Sequence, residues 1–379
     1  MAHLNSLHDV VEQGCCPDTT WAACNGHLDC LRFAVEAGPT GHPWTAHTTW
    51  GAARGGHLDC LRFAAEAGCP WDTRTTSAAA ENGHLDCLRF AVETGCPWHP
   101  RTLYAAACNG HLDCLRYAVE AGQPWHPDTT WVAARNGHLE CLRFAAEAGC
   151  PWGDNTTYAA AAAGHLDCLR CAVEAGCPWS AATTCAAARW GHLECLRFAA
   201  EAGCPWHPGT TRAAACNGQL ECLRFAASEH DSCPWDDDTT SAAARSGHLE
   251  CLRFAVEAGC PWSAGTTWAA ALNGHLDCLR YAVEAGCPCS AYAIGAAAHN
   301  GHLECLRFAL LGAVQPCWSI NGITTRDKRC LDWLAEARAA ANAIKAAWKA
   351  SRRRRVVTLA LCMGRLLPSG VAAIVVGLA

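Results

Sequence analysis

The sequence predicts an all-α fold: a solenoid of stacked helix–turn–helix repeats, followed by a C-terminal helical tail. A nine-residue motif, GHLDCLRFA or a near copy, recurs eleven times in the 379 residues. Eight of the ten intervals between successive motif glycines are 27 residues long. A fixed period of this size is typical of supersecondary units that bury their apolar faces only by stacking. The motif glycines are Gly26, Gly56, Gly83, Gly110, Gly137, Gly164, Gly191, Gly218, Gly247, Gly274 and Gly301.

The composition argues against several protein classes. Apolar residues make up 51% of the chain, which is too many for a disordered protein, and a formal net charge of -6 provides no broad basic field to attract nucleic acid. The N-terminal segment lacks a basic-then-apolar signal pattern, so we expect a cytoplasmic protein. Of the 30 cysteines, 19 recur at two fixed places in the repeat, which indicates a role in packing.

The repeat around Gly137 shows how one unit is expected to fold. Thr129 or Thr130 is in place to cap a first helix made mostly of small residues. Glycine adopts a left-handed conformation at little cost, so Gly137 ends that helix and a second helix starts at once. Leu139 and Leu142 fall at helical spacing on the apolar face of the second helix. Each unit is therefore predicted to be a helical hairpin.

A tryptophan follows the end of most second helices, usually within the sequence Gly-Cys-Pro-Trp. Its regular recurrence favours packing over the seam between repeats rather than recognition of a partner. Cys289 interrupts the series. The tryptophans are Trp44, Trp71, Trp98, Trp125, Trp152, Trp179, Trp206, Trp235 and Trp262.

Over residues 2–318 the repeats resemble ankyrin repeats, whose second half commonly reads like GHLECLRFAAEAG in this chain. The TPLH box of that family is replaced by TTW, TTS or TTY, and the period is shorter than the family's roughly 33 residues. The resemblance implies an ankyrin-like helical stack in which the β-hairpin finger is shortened or absent. It also implies a concave face, made of first helices and their adjoining loops, that binds other proteins.

Three segments are expected along the chain. The array covers residues 1–318 and begins with a partial repeat, 1–17, in which Leu4, Leu7 and Val11 lie at an open end. Residues 319–350 are predicted to form a capping helix, with an apolar stripe at Leu331, Leu334, Ala337, Ala341, Ile344 and Trp348.

The last segment, 351–379, combines the basic run 352–355 with the apolar stretch 356–379. A stretch of 24 residues is long enough to cross a bilayer, but Arg365 and Pro368 weaken that interpretation. The alternatives are a membrane anchor, packing or interfacial contact of the tail, and a nuclear import signal in the arginine run.

Two positions of the first helix vary between repeats while their neighbours stay fixed: the sixth and the second residue before the motif glycine. They lie four residues apart, on one side of the helix. Tryptophan, tyrosine and arginine are strong binding anchors, although the aromatic residues could instead pack against neighbouring first helices. The predicted partner-binding residues are Trp50, Arg54, Glu81, Tyr104, Trp131, Arg135, Tyr158, Arg189, Arg212, Arg245, Trp268 and His299.

The spacing of the candidate residues does not support a catalytic or metal-binding site. His84 and Cys87 are three residues apart, but equivalent helices about 8–10 Å apart cannot bring such pairs to one zinc ion. We therefore expect no catalytic residues, no metal, no cofactor and no small-molecule substrate.

The function expected from the sequence is that of a non-catalytic scaffold or adaptor that binds a protein partner. The alternatives are an adaptor anchored in a membrane through 356–379 and, from another class, a thiol-rich metal or redox protein.

Overall fold

The protein is described by a computed structural model over residues 18–36, 44–229, 233, 235–289, 291–311 and 324–350. These residues form paired short helices and no β-strand. The all-α prediction, with the β-hairpin finger shortened or absent, is thereby confirmed for the described part of the chain.

Eleven helical pairs follow one another, and a longer helix comes after them. The first helices of the pairs are α1 (Thr19–Cys24), α3 (Ala46–Gly55), α5 (Thr75–Glu81), α7 (Thr102–Cys108), α9 (Thr129–Arg135), α11 (Thr156–Ala163), α13 (Thr183–Trp190), α15 (Thr210–Cys216), α17 (Thr239–Ser246), α19 (Thr266–Asn273) and α21 (Ala291–His299). The second helices are α2 (Leu28–Glu36), α4 (Leu58–Glu66), α6 (Leu85–Glu93), α8 (Leu112–Glu120), α10 (Leu139–Glu147), α12 (Leu166–Glu174), α14 (Leu193–Glu201), α16 (Leu220–Ser228), α18 (Leu249–Glu257), α20 (Leu276–Glu284) and α22 (Leu303–Leu311). The final helix is α23 (Lys328–Ala350).

The chain divides into two compact units. The first comprises 1–183 and 201–204, and the second comprises 184–200 and 205–379. Within the described part of each unit, a first helix packs against the first helix of the neighbouring pair and against its own second helix. Second helices likewise pack against one another. Each unit is thus a solenoid of stacked helical pairs.

The core of a pair is built from alanine, leucine and cysteine. In α9, Ala133 and Ala134 are fully buried, and in α10 Leu142 is fully buried and Cys141 nearly so. Burying one leucine side chain contributes about 1.5–3 kcal/mol, and the small alanines allow neighbouring first helices to approach closely. Leu139, expected on the same apolar face, is only half-buried, because it stands at the first position of its helix.

The threonines at the start of the first helices join neighbouring pairs instead of capping their own helix. Helix α9 has Asp128 at its N-cap position, so the cap expected at Thr129 or Thr130 is wrong; both threonines lie inside the helix and are fully buried. The Thr130 hydroxyl accepts a hydrogen bond from the Gly153 N–H at 3.1 Å and is 3.2 Å from the hydroxyl of Thr156. Thr156 in turn donates to the Gly153 carbonyl at 3.0 Å. Three hydrogen bonds thus fix the loop of one pair on the first helix of the preceding pair.

The same hydroxyl contact recurs along both units. It joins Thr49 to Thr75, Thr76 to Thr102, Thr157 to Thr183, Thr184 to Thr210, Thr211 to Thr239 and Thr240 to Thr266. Leu103 stands where the second threonine of α7 would be, so Thr129 lacks this type of partner on α7. We call this set of contacts the threonine relay.

The motif histidine also packs on the preceding pair. A Cβ atom added to Gly137, which has φ +75°, would lie 2.6 Å from Cε1 of His165. One repeat earlier, the Nε2 atom of His138 is 3.0 Å from the Cys108 carbonyl oxygen. The histidine is therefore a spacer and hydrogen-bonding group between pairs. This role accounts for its recurrence without any metal.

The loop tryptophans lie against the aromatic ring of the following second helix. The ring centroids of Trp98 and Tyr117 are 6.2 Å apart, and those of Trp125 and Phe144 are 6.5 Å apart. Both tryptophans are half-buried. This placement agrees with a packing role, although the ring that each indole contacts belongs to its own helical pair and not to the seam with the neighbouring pair.

Helix α23 packs against α22 and continues the pattern of the repeats. Asp327 lies against Gly301, where eight of the other repeats place a histidine, and Arg307 lies 5.8 Å from the ring centroid of Trp333. Leu334 is buried as expected, but Leu331 is 45% exposed. Ala337 is also buried as expected, and Cys330 and Trp333 complete the buried stripe in place of Leu331.

The domain boundaries stay predictions, because 1–17, 312–323 and 351–379 lie outside the described residues. The predictions for Leu4, Leu7, Val11, the basic run and the apolar stretch 356–379 fall in those ranges. The side chains of Ala341, Ile344 and Trp348 are also outside the described set.

Candidate protein-interaction surface

The predicted partner-binding residues occupy two environments on the first helices. Residues at the sixth position before the motif glycine, such as Trp50, Tyr104 and Trp131, are half-buried. Residues at the second position, such as Arg54 and Arg135, are exposed. The remaining predicted residues follow this rule except Arg212, which is exposed at the sixth position; they are Glu81, Tyr158, Arg189, Arg245, Trp268 and His299.

Two arginines at the second position lie over the aromatic ring at the sixth position of the same helix. The Cζ atom of Arg54 is 5.2 Å from the ring centroid of Trp50, and that of Arg135 is 5.1 Å from Trp131. The four-residue spacing places both side chains on one helical face. A guanidinium held over an indole loses little conformational freedom on binding, so each pair is a preorganised cationic and aromatic surface.

The sixth position also contacts the variable loop of the following repeat. Trp50 receives a second guanidinium, from Arg74, at 5.4 Å, and the rings of Tyr104 and His126 are 5.2 Å apart. In the second unit, the Nε atom of Arg212 is 3.7 Å from Oδ2 of Asp236. Residues that vary from repeat to repeat therefore touch across the seam between repeats.

The loop beside Trp50 is held by a charged pair. Arg74 donates to Asp72 through Nη2 at 2.7 Å and through Nε at 3.0 Å. These hydrogen bonds hold the pKa of the Asp72 carboxyl below its usual range. Asp72 stays ionised, and its carboxylate orients the Arg74 guanidinium toward the indole of Trp50.

We call the surface formed by these side chains in each unit the first-helix ridge. In the first unit it consists of Trp50, Arg54, Arg74, Glu81, Tyr104, His126, Trp131, Arg135 and Tyr158. In the second unit it consists of Arg189, Trp190, Arg212, Asp236, Arg245, Trp268, Tyr292 and His299.

Two members of the first-helix ridge are not among the predicted residues. Trp190 is 56% exposed and stands directly before Gly191, where seven of the eleven repeats have asparagine. Tyr292 is 80% exposed near the start of α21. Comparison of the repeats at these two positions would have found both residues, because each breaks a pattern of small or polar side chains.

The thiols buried in the core do not form a reactive centre. The described cysteines are free, and burial raises the pKa of Cys87 to about 12 and that of Cys141 to about 11. Thiols with such pKa values stay protonated at neutral pH and are poor nucleophiles. Within the described ranges, no group of three or more His, Cys, Asp or Glu side chains is arranged to hold a metal ion.

Comparison with known proteins gives a limited result. The chain matches no protein family model and no curated protein. The crystal structure of the human ASB11 ankyrin repeat domain is similar to it, with a TM-score of 0.37 and 19% identity, covering 42% of this chain and 83% of that one. That likeness concerns the fold alone. The resemblance to ankyrin repeats drawn from the motifs is confirmed in the series of paired short helices, which is consistent with ankyrin-like repeats.

Proposed function

We propose that this chain is a non-catalytic scaffold or adaptor that binds a protein partner through the first-helix ridge and its adjoining loops. The observation that carries the proposal is the contact between the sixth-position residue of one repeat and the loop of the next, as in Trp50 with Arg74 and Tyr104 with His126. These contacts join varied residues of neighbouring repeats, whereas the uniform residues form the core. Uniform cores with varied surfaces suit a repeat array that selects one partner.

The chemistry of the first-helix ridge suggests the kind of segment it binds. Arginine recurs at its most exposed position, in Arg54, Arg135, Arg189 and Arg245, and aromatic rings stand beside two of these guanidinium groups. Guanidinium groups pair with carboxylates, and indole rings provide apolar contact area. The proposed partner therefore presents acidic residues interleaved with apolar ones.

The second candidate is an adaptor anchored in a membrane through 356–379, which lie outside the described residues. Each helix of the described ranges is too short or too polar to cross a membrane. Carbonate extraction of membranes from cells that express the full chain tests this candidate, because an inserted tail remains in the pellet. Release of the chain into the supernatant would count against insertion.

Site-specific photocrosslinking tests the first-helix ridge. A benzoylphenylalanine at position 135 is expected to capture a partner protein, whereas the same residue at position 120 is not. The matched control, Glu120, is exposed on the second helix α8. The same partner should then bind the Trp131→Ala/Arg135→Ala variant at least about tenfold more weakly, because truncation of a binding anchor costs about 2 kcal/mol or more.

Folding must be unchanged for this comparison to hold. The urea midpoint of the double variant should stay close to that of the wild type, since Arg135 is exposed and Trp131 is only half-buried. Equal crosslinking from positions 135 and 120, or unchanged affinity of the double variant, would show that the first-helix ridge is not the binding surface.

A further inference from the structure

The second helices carry a series of arginines, each placed over an aromatic ring of the next second helix. Arg89 lies 5.6 Å from the ring centroid of Tyr117, and Arg116 lies 4.9 Å from that of Phe144. The same contact joins Arg62 to Phe90, Arg197 to Phe225, Arg224 to Phe254, Arg253 to Tyr281 and Arg280 to Phe308. At these seven junctions one repeat thus provides the guanidinium group, and the next repeat provides the ring that it covers.

The series is interrupted at α12, where the ring position is Cys171. Arg143, on α10, still lines the same space as Cys171, and its positive charge acts to lower the pKa of that thiol. A cavity of about 540 Å³ lies between α10 and α12, lined among others by Arg143, Ala146, Glu147, Cys171 and Glu174. We call this cavity the Cys171 notch. Its volume is within the usual range of ligand-binding pockets, about 300–1,000 Å³.

The Cys171 notch is arranged as a receptor for a ring. Leu139, Ala146 and Ala175 supply apolar lining, while Glu147 and Glu174 contribute carboxylates beside it. Asp167 and Arg170 also line the notch, so apolar side chains and charged groups face the same space. The Cys171 side chain is half-buried, so the notch is open to solvent.

The guanidinium group of Arg143 is held in place without a ring beneath it. Its Nη1 atom is 3.2 Å from Oε1 of Glu140, one turn earlier on α10. Trp152 occupies the loop position of this repeat, where Trp98 and Trp125 contact a ring in their own repeats. Because residue 171 is a cysteine, it offers no ring to Arg143 or to Trp152. The residues that would surround a ring are therefore present, and the ring is the part this repeat lacks.

We propose that the Cys171 notch binds an aromatic side chain of a protein partner, stacked against Arg143 as Phe144 is stacked against Arg116. The occupant is inferred from the chain itself, because seven other repeats place a phenylalanine or tyrosine ring under the equivalent arginine. A cation beside a ring face is attracted by the ring quadrupole, which an aliphatic group of equal size lacks. The site shares no residue with the first-helix ridge and does not depend on the function proposed for it.

The thiol itself offers a way to measure ring binding. Burial raises the pKa of Cys171, but its half-buried sulfur remains open to thiol–disulfide exchange at mildly alkaline pH. Two probes are compared: the mixed disulfides of 2-aminoethanethiol with 2-phenylethanethiol and with 2-cyclohexylethanethiol. In the exchange, Cys171 bonds to the phenylethyl or cyclohexylethyl sulfur and 2-aminoethanethiol leaves as the thiol.

The full-length chain is incubated with equal amounts of both probes in excess 2-mercaptoethanol, and capture is mapped by mass spectrometry. Cys171 is expected to retain the phenyl probe at least about threefold more than the cyclohexyl probe. Cys108 and Cys216, half-buried thiols on first helices, serve as internal controls and should show no preference. Absence of capture at Cys171, or equal capture of the two probes there, would overturn the proposal.

Two substitutions separate recognition of the ring from simple access to the thiol. Arg143→Met should abolish the preference for the phenyl probe at Cys171 while leaving capture possible. Arg116→Met, the matched change in a repeat that has its own ring, should leave that preference intact. A phenyl preference that survives Arg143→Met would mean that the preference does not come from a ring stacked against Arg143, and the proposal would then be wrong.

Discussion

Eight of the motif glycines lie against the histidine of the next repeat, so one residue both ends a helix and spaces two pairs. Gly137 has φ +75° and lies directly beneath the His165 ring. Gly149, at the end of the second helix, has φ +74° but has no heavy atom within 4 Å of the place where a Cβ would stand. The left-handed conformation therefore occurs both at a glycine packed against a side chain, Gly137, and at one without such a neighbour, Gly149.

Replacing each glycine by alanine separates conformational strain from crowding. Gly149→Ala should destabilise the protein by about 1–2 kcal/mol, the usual cost of the left-handed conformation for an L residue. Gly137→Ala should cost about 1–3 kcal/mol more, because its Cβ must displace the imidazole of His165. Urea unfolding of the two variants measures the difference. Equal losses of stability would show that the histidine moves aside freely.

The threonine relay ties a first helix to the loop of the next pair. Thr130, Gly153 and Thr156 form a closed set of three hydrogen bonds, and both threonines are fully buried. A buried N–H group that loses its acceptor lowers the stability of the fold. The Thr130 hydroxyl, which accepts from the Gly153 N–H, therefore holds in place a loop that carries part of the first-helix ridge.

Thr130→Val should lower stability by about 1–3 kcal/mol, since the methyl group that replaces the hydroxyl leaves the Gly153 N–H without its acceptor. Thr130→Ser keeps the hydroxyl and should lose less stability than Thr130→Val. The two midpoints in urea, together with the rate of hydrogen exchange at Gly153, test this expectation. A valine variant that is as stable as the serine variant, with slow exchange at Gly153, would rule out the proposed role of the hydroxyl.

The sequence predicted helices well because their signals are local. The glycine turns and the helical spacing of apolar residues lie within a single repeat, so the bounds of α9 and α10 around Gly137 could be anticipated. The role of Thr130 could not, since its partner Thr156 is 26 residues away and a buried threonine resembles a capping one in sequence.

For the proposed interaction surface, comparing repeats singled out Trp50, Arg54, Trp131 and Arg135, and their place on that surface stays a prediction; the comparison could not show which of them touch. The contact of Trp50 with Arg74 depends on how one pair packs on the next. The cavity beside Cys171 could not be predicted either. The sequence shows a cysteine in place of a ring, but it does not show the space that the ring would fill.

At the scale of the whole molecule, buried thiols dominate the response to alkaline pH. Burial raises the pKa of many cysteines, for instance to about 12 for Cys87 and Cys150 and to about 11 for Cys195. In the unfolded chain a thiol ionises near pH 8.5. The folded state therefore keeps protons that the unfolded state releases, so stability is complete below that pH and falls as the pH rises above it.

The urea midpoint should accordingly be level between pH 7 and 8 and fall steadily toward pH 10, in the presence of a reductant that prevents disulfide formation. Each unit of difference between the folded and unfolded pKa of a thiol corresponds to about 1.4 kcal/mol of unfolding free energy once the pH exceeds the folded pKa. Many such thiols together make the free energy of unfolding fall steeply with pH. A midpoint independent of pH up to 10 would show that the native thiols ionise as readily as those of the unfolded chain.

The histidine that rests on the preceding glycine has a consequence for how such a chain can grow. Because nearly every junction uses the same contact, a unit copied whole and inserted at a turn would meet compatible neighbours on both sides. Gene duplication can thus lengthen the protein without a new packing solution, and later substitutions can diversify only the outward-facing positions.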